Sequence, residues 1–288
     1  MHDELRIPAG DIELAGQLLR PDGPGPHPVV VLSHGFSATM AMGLLDYARV
    51  FSAAGLAALV YEHRNFGASG GTPRHEIDPW QQVADMRDVI SHARTLADID
   101  PARIGLWGTS YAGGHALTVA ALDRRVRCVV AQVPFVAGHA TLRAWIGDAH
   151  WDAMQHRFAE DRDARYRGEP PRTTKPARPG DQTWDWVQAI GAQDTYPNCI
   201  TQRSLELISS YEPAAFVARI APTPLLMILA TGDTQTPYAG QRAAFAEAGQ
   251  PSRLVLLDGG HYDPYTTLFP AAAGAARDWF VEHLAGGA

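Results

Sequence analysis

The sequence predicts an α/β protein built on a mostly parallel, doubly wound sheet. Short, continuous apolar runs recur along the chain and alternate with segments of helical periodicity. Apolar runs of this kind are typical of strands that are buried on both faces of a parallel sheet. Their regular alternation with helices indicates right-handed βαβ crossovers. The 288 residues are enough for one large core of this class.

The first elements follow from local sequence patterns. Residues 4–20 alternate between apolar and polar side chains around a turn at Gly10 and Asp11, which predicts two antiparallel strands at the sheet edge. Asp78-Pro79 is a suitable cap and first-turn pair for a helix, and another helix is predicted around residues 43–54. Buried parallel strands are predicted at residues 28–34, 56–61, 103–107 and 126–131.

The chain between residues 136 and 222 departs from this alternation. It contains four of the seven tryptophans: Trp145, Trp151, Trp184 and Trp186. A structureless loop of this length is uncommon in a compact domain, so an insertion with its own helices is the better interpretation. We predict a core formed by residues 1–135 and 223–288 and a mostly helical lid formed by residues 136–222. The linker-like stretch at 168–182 is expected to be its least ordered part.

The α/β pattern resumes after this insertion. The run at residues 224–233 is predicted to contain the next strand, and Thr236-Pro237 is expected to cap the helix that follows it. The last strand is predicted at residues 252–257. Asp263-Pro264 is expected to cap a C-terminal helix that reaches about residue 284.

Composition and charge exclude several classes of protein. The formal net charge is −7 at pH 7, and no basic cluster has the density of a nucleic-acid site. The twelve histidines are scattered without metal-ligand spacing, so we expect no metal site. A small-molecule substrate is therefore the expected partner.

Cysteine usage and the N-terminus bear on the compartment. Cys128 and Cys199 lie far apart and form no disulfide framework, which favours a reducing compartment. The first residues lack the basic start and apolar segment of a signal peptide, and no apolar run approaches membrane-spanning length. We expect a cytoplasmic protein without membrane insertion. The oligomeric state is left open, a homodimer included.

Residues 108–113 have the pattern of a nucleophile elbow. Ser110 lies in a turn of small residues between a predicted strand and a helical stretch. Such a turn lifts the hydroxyl out of the sheet and directs the backbone N–H of Tyr111 toward a developing oxyanion. The common form is G-x-S-x-G, and here Ala112 occupies the fifth position, followed by Gly113. An ordinary βα turn is the alternative.

Two further candidate residues follow predicted strands, Asp233 after the next-to-last and His261 after the last. Catalytic groups in open α/β sheets gather beyond the carboxyl ends of the strands. A serine hydroxyl needs a neighbouring base, and a carboxylate fixes the tautomer of that base. Ser110, His261 and Asp233 therefore predict a catalytic triad. Taken singly, Asp233 would also suit a turn and His261 a polar loop.

In these features the chain resembles the α/β-hydrolase superfamily over nearly its whole length. His34-Gly35-Phe36 matches the HG-x oxyanion segment, which assigns the backbone N–H of Phe36 as the second oxyanion donor beside that of Tyr111. Residues 64–69 are similar to the R-G-x-G-x-S loop of that superfamily, with Asn65 in place of the first glycine. We interpret this loop as structural.

The elbow, the Asp233 segment and residues 259–265 resemble one branch of the superfamily, the dienelactone-hydrolase-like and acetyl-xylan-esterase-like group. That branch includes bacterial esterases and polyketide-processing hydrolases and acyltransferases. Ser110 departs from the cysteine of dienelactone hydrolases and from the aspartate of haloalkane dehalogenases and epoxide hydrolases. The resemblance implies a serine esterase that needs no cofactor.

These observations predict a serine carboxylic ester hydrolase that acts through an acyl-enzyme on a hydrophobic or bulky ester, thioester or lactone. An acyltransferase or polyketide-releasing thioesterase on the same machinery is the alternative, and a non-catalytic ligand-binding protein is a third hypothesis. A peptidase would use the same residues but has no dedicated second domain here. Trp145, Trp184 and Trp186 are expected substrate contacts, or else the core of the lid itself.

Overall fold

The computed structural model describes residues 2–285, and its main sheet has eight strands with helices on both faces. The strands are, in chain order, β1 (His2–Ala9), β2 (Ile12–Leu19), β3 (His27–Ser33), β4 (Ala57–Tyr61), β5 (Ile99–Thr109), β6 (Val126–Gln132), β7 (Thr173–Thr174), β8 (Ile200–Thr201), β9 (Leu225–Ala230) and β10 (Ser252–Leu257). The sheet order is β1-β2-β4-β3-β5-β6-β9-β10, and β7 pairs with β8 in a separate ribbon. Two neighbouring pairs in the main sheet are antiparallel, β1 with β2 and β2 with β4, and the other pairs are parallel, which confirms the predicted fold class.

Helices connect these strands. They are α1 (Leu44–Ala53), α2 (Pro79–Ala93), α3 (Tyr111–Leu122), α4 (Gly138–Ile146), α5 (Asp148–Tyr166), α6 (Gln182–Ala189), α7 (Gln202–Ser209), α8 (Ala214–Val217), α9 (Tyr238–Ala246) and α10 (Phe269–Phe280). A 3₁₀ turn at Asp263–Tyr265 and a π-helical turn at Val281–Ala285 flank α10. Asp78 caps α2 by accepting from the backbone N–H groups of Trp80 and Gln81.

The sheet separates two apolar layers. Successive strand side chains point to opposite faces, so one strand supplies both layers. Val29 and Val31 of β3 are buried in the layer that includes α2 and α3. Val30 and Leu32 are buried in the layer that includes α1 and α10. This burial on both faces explains why β3 appears as a continuous apolar run in the sequence.

The segment between β6 and β9 contains α4 to α8 and the short β7–β8 ribbon. Within residues 168–182 the backbone is irregular except for β7 and the start of α6. Side chains of α7 attach the segment to the loop before α2. Ser204 Oγ accepts from the backbone N–H of Ile77 at 2.8 Å, and Arg203 pairs with Glu76 at 2.9 Å.

Two predicted helix caps are wrong, because their polar side chains bond elsewhere. The C-terminal helix begins at Phe269 rather than at Asp263, whose carboxylate accepts from the backbone N–H of Gly260 at 2.6 Å. Thr236 does not cap α9, because its hydroxyl lies between the carbonyl oxygen of Val133 and the carboxylate of Asp233, each at 2.9 Å.

The loop after β4 is held by a buried ion pair. Arg64 donates to both carboxylate oxygens of Asp85 on α2, at 2.7 and 2.5 Å. The Asp85 side chain is fully buried, whereas that of Arg64 is 16% exposed. Removal of one partner of a buried pair is costly because it leaves the other charge without compensation. These contacts agree with a structural role for the loop.

We predict that Arg64→Leu lowers the free energy of unfolding at pH 7 by about 3 kcal/mol, because the carboxylate of Asp85 stays buried without its cation. Urea unfolding followed by circular dichroism measures this change. Arg49→Leu is the matched control, because Arg49 pairs with Asp46 at the surface, and it should cost less than about 1 kcal/mol. Equal losses in the two variants would contradict the structural role of the Arg64 pair.

Candidate active site

Ser110 lies at the turn between β5 and α3. Its backbone has φ 52° and ψ −121°, a combination that L-residues rarely adopt and that nucleophile elbows use. The turn is held by three backbone bonds: Ser110 N–H to the Gln132 carbonyl at 2.9 Å, and Gly113 and Phe135 N–H to the Ser110 carbonyl at 2.9 and 2.8 Å. The strain is therefore balanced by satisfied backbone groups on both sides.

The residues predicted as a triad lie in one line of hydrogen bonds. The Oγ atom of Ser110 is 3.0 Å from His261 Nε2, and His261 Nδ1 is 2.8 Å from Asp233 Oδ2. His261 and Asp233 are both buried, each 4% exposed. This geometry lets Nδ1–H donate to the carboxylate while Nε2 accepts from the serine hydroxyl.

The carboxylate of Asp233 is surrounded by donors. Its Oδ1 accepts from the backbone N–H groups of Gln235 and Thr236, each at 2.9 Å, and its Oδ2 accepts from Gln241 Nε2 at 3.1 Å. Burial by itself raises the pKa of Asp233. The charge and hydrogen bond of His261 and the hydrogen bonds of Thr236 lower this pKa by a larger amount, so the net shift is downward. The group is therefore held as an anion facing the imidazole.

A second polar network under the elbow was not predicted from the sequence. The Tyr47 hydroxyl donates to Gln132 Oε1 at 2.9 Å or to the Pro264 carbonyl at 2.7 Å. Gln132 Nε2 donates to Thr109 Oγ1 at 3.2 Å, and Thr109 in turn bonds the Tyr265 hydroxyl. The network joins the elbow to the loop that carries His261. Its sequence signal is a glutamine directly after the apolar run at residues 128–131.

The two predicted oxyanion donors lie on either side of the serine. Phe36 follows Gly35, where an added Cβ would lie 3.2 Å from the Ser110 Cβ, so the two backbones approach closely. Tyr111 is the first residue of α3, and the first N–H groups of a helix have no intrahelical acceptor. Within residues 2–285 neither the Phe36 nor the Tyr111 N–H donates to a backbone acceptor. The rings of Phe36 and Tyr111 pack edge to face at 5.6 Å.

Three buried histidines lie close to one another, and the first of them, His34, belongs to the same segment as Phe36. His34 accepts at Nε2 from the backbone N–H of His63 at 3.1 Å, and the His34 and His63 rings lie 4.4 Å apart. His115 bonds Tyr211 and Gln82 through its two ring nitrogens, at 3.0 and 3.1 Å. Burial lowers the pKa of His34 to about 4 and that of His115 to about 3, and burial also lowers that of His63.

Glu62, at the end of β4, was left without a role by the sequence analysis. Its Oε1 accepts from the backbone N–H of Met40 at 3.2 Å, four residues beyond Phe36. Its other carboxylate oxygen is buried and has no partner among the described residues. Burial raises the pKa of this carboxyl. Glu62 therefore contacts the loop after the oxyanion segment rather than the reacting groups.

A cavity of about 850 Å³ opens over Ser110 and His261. Trp145 and Trp186 line it, whereas Trp184 does not and packs instead against the small apolar cluster around Val187. Trp145 Nε1 donates to the Gln235 carbonyl at 2.7 Å, and the Trp186 ring stacks on Tyr262 at 4.9 Å. Two of the three tryptophans predicted as substrate contacts therefore lie at the cavity.

The His, Cys, Asp and Glu side chains between residues 2 and 285 form no group of three or more arranged to hold a metal ion. No helix in this part of the chain is both long and apolar enough to span a membrane.

The sheet topology, the elbow and the order of Ser110, Asp233 and His261 along the chain define an α/β-hydrolase. The chain belongs more particularly to the X-Pro dipeptidyl-peptidase (S15) family, whose model matches residues 10–263. The α/β-hydrolase resemblance predicted from the sequence is therefore confirmed.

Known proteins agree with this assignment. The chain is 38% identical to the quorum-quenching protein AidA of Acinetobacter baumannii (strain MDR-ZJ06) over 141 residues, about half of each chain (49% and 46%). It is 29% identical to a thiohydrolase of Eupenicillium brefeldianum over 251 residues, 82% of this chain and 80% of that protein. The crystal structure of the α/β hydrolase GrgF from Penicillium sp. sh18 has a TM-score of 0.86 at 25% identity, covering 99% of both chains.

The buried histidines predict a loss of stability in acid. His115 is neutral in the folded protein down to about pH 3, but the unfolded chain binds the proton near pH 6.5. Its contribution to stability is therefore present above pH 6.5 and is lost as the pH falls. Between pH 7.5 and pH 5 the free energy of unfolding should fall by about 2 kcal/mol less in His115→Gln than in the natural protein.

Urea unfolding at the two pH values measures this difference. His156→Gln is the control, because His156 is exposed on α5 and its surroundings change little on unfolding. That variant should keep the pH dependence of the natural protein. A His115→Gln variant with the same pH dependence as the natural protein would contradict the buried, neutral state of His115.

Proposed function

We propose that the protein is a serine hydrolase of carboxylic esters and thioesters that works through an acyl-enzyme. The observation that carries the proposal is the line of hydrogen bonds from Ser110 through His261 to Asp233. Ser110 and His261 line a cavity that is large enough for a small-molecule substrate. Membership of a hydrolase family and the likeness to a thiohydrolase support the same class of reaction.

In the proposed mechanism, Ser110 Oγ attacks the carbonyl carbon of the substrate while His261 Nε2 takes the hydroxyl proton. The imidazolium that forms is stabilised by Asp233, and it then gives its proton to the leaving alcohol or thiol. Water attacks the resulting acyl-enzyme in the second half-reaction, with His261 again acting as base. Asp233 stays ionised throughout, as its lowered pKa favours.

The negative charge on the carbonyl oxygen is proposed to be stabilised by the backbone N–H groups of Phe36 and Tyr111. Both N–H groups are free of backbone acceptors in the described chain, so they can bind the oxyanion without breaking an existing backbone bond. The buried contacts of His34 and Glu62 hold the Phe36 segment in place before substrate arrives. Preorganisation of this kind lowers the barrier because the donors need not rearrange in the transition state.

We further propose that residues 136–222 act as a lid over the site. Trp145 on α4 and Trp186 on α6 contribute apolar cavity wall opposite the elements of the core. Such a wall favours a hydrophobic or bulky ester, thioester or lactone. Thioester hydrolysis is the more specific candidate, favoured by the thiohydrolase relative. Acyl transfer to an alcohol or amine would need the same residues and a second substrate in place of water.

We predict that Ser110→Ala lowers kcat for 4-nitrophenyl and thioester substrates by at least about 10⁴-fold, because no other group supplies the nucleophile. Initial rates across an acyl-chain series measure this loss, and circular dichroism checks the fold. Ser91→Ala is the control, since Ser91 is exposed on α2 and outside the cavity, and it should keep full activity. Substantial turnover by folded Ser110→Ala would refute the proposed nucleophile.

The same assay separates the alternative activities. We expect hydrolysis products alone at every concentration of added acceptor alcohol, and transfer products would instead indicate an acyltransferase.

Ala-Pro-4-nitroanilide serves as the peptidase substrate and should be turned over much more slowly than the esters. Faster turnover of that amide than of any ester would replace the esterase proposal with a peptidase.

A further inference from the structure

Basic side chains are concentrated on the cavity wall that the inserted segment contributes. One face of α5 turns toward the cavity at helical spacing, and its lining residues are His150, Ala153, Met154 and Arg157. The stretch before α6 adds Lys175 and Arg178 to the same wall. Lys175 is the only lysine in the chain. None of these groups has a role in the proposed acyl transfer.

These cations are not engaged in ion pairs. Within residues 2–285 the side chains of Arg157, Lys175 and Arg178 contact no carboxylate, whereas most other arginines do, including Arg162 and Arg165 on the same helix. The chain as a whole carries a net charge of −7, so carboxylates are plentiful elsewhere. Unpaired cations facing a cavity leave their charge available to a ligand.

One carboxylate also lines this part of the cavity, and it is already occupied. Asp181 accepts from the backbone N–H of Trp184 at 2.7 Å and from that of Arg178 at 2.6 Å. The first of these bonds caps α6, so the charge of Asp181 is directed to a helix N-terminus. The balance of charge on the wall is therefore positive.

We propose that Arg157, Lys175 and Arg178 form an anion-binding subsite that selects substrates carrying a carboxylate or phosphate away from the scissile carbonyl. The proposal rests on the proposed function, because it takes the carbonyl to be bound at Ser110. Ser110 lies at the carboxyl edge of the sheet and the cations lie on the inserted segment, so the two ends of one substrate would contact different walls. Guanidinium and ammonium groups both bind carboxylate and phosphate oxygens by charge-assisted hydrogen bonds.

We expect the three cations to change the preference for anionic substrates moderately, because all three side chains are exposed to water. A single exposed charge pair typically changes binding by about 2- to 5-fold, so the three together should contribute roughly 10-fold or more. The effect should shrink as salt is added, since screening acts on exposed charges.

Two matched pairs of substrates test the subsite. The first pair is mono(4-nitrophenyl) suberate and its methyl-capped diester, which differ by a carboxylate on the acyl chain. The second pair is the butyryl thioester of 4′-phosphopantetheine and that of pantetheine, which differ by a phosphate on the leaving group. Each pair gives a ratio of kcat/KM, anionic over neutral, for the natural protein, the triple variant Arg157→Gln/Lys175→Gln/Arg178→Gln and the control Arg127→Gln.

Arg127 is a suitable control because it is exposed on β6 and does not line the cavity. We expect the triple variant to lower the anionic-to-neutral ratio by roughly 10-fold for at least one pair, with the neutral rates retained and the control unchanged. The pair that responds identifies the anion as an acyl carboxylate or a leaving-group phosphate. Unchanged ratios for both pairs would overturn the subsite.

Failure of the proposed function gives a different result from failure of the subsite. If folded Ser110→Ala hydrolyses the neutral esters, the catalytic proposal fails whatever the ratios are. If Ser110→Ala is inactive while the triple variant keeps the ratios of the natural protein, only the subsite fails. Should the triple variant lose neutral activity, the three single variants provide the same ratios, with a loss of about 2- to 5-fold expected in each.

Discussion

The backbone of Ser110 is the constraint on which the rest of the site depends. Its positive φ is compatible with the fold only because β5 and α3 pack almost in contact, and an added Cβ at Gly108 would lie 2.1 Å from the Ala112 carbonyl oxygen. The strand–turn–helix packing therefore requires glycine at 108, while the methyl group of Ala112 is accommodated. With the turn fixed in this way, Ser110 and Tyr111 line the same cavity.

Buried polar contacts then set the positions of the remaining groups. Asp233 is fixed by backbone N–H groups that immediately follow it, so its carboxylate is oriented by local structure. The His261 loop is instead fixed from a distance, through Tyr47, Thr109 and Gln132. Buried hydrogen-bond networks of this kind specify one arrangement in a low-dielectric interior. The three cations of the proposed subsite take no part in these contacts, so the proposed catalytic groups and the proposed subsite can be tested by separate substitutions.

Much of the fold and the candidate site could be predicted because their signals are local. Apolar runs mark the strands, and strand ends locate Ser110, Asp233 and His261. Features that depend on distant partners could not be predicted. Thr236 stands where a helix cap is expected, but its hydroxyl bonds Val133, which lies far earlier in the chain. Trp186 lines the cavity and Trp184 does not, because residues two apart on a helix face different directions. Which face of the helix meets the cavity depends on packing.

The most direct test of the proposed chemistry is covalent labelling with an alkyl fluorophosphonate, which reacts with a serine only when a neighbouring base activates it. Intact-mass spectrometry measures the number of adducts, and peptide mapping measures their position. A working hydrogen-bonded line from Ser110 to Asp233 predicts one adduct, located on Ser110, whose formation is strongly slowed in His261→Ala. No adduct on the folded protein, or an adduct on another residue, would contradict the account.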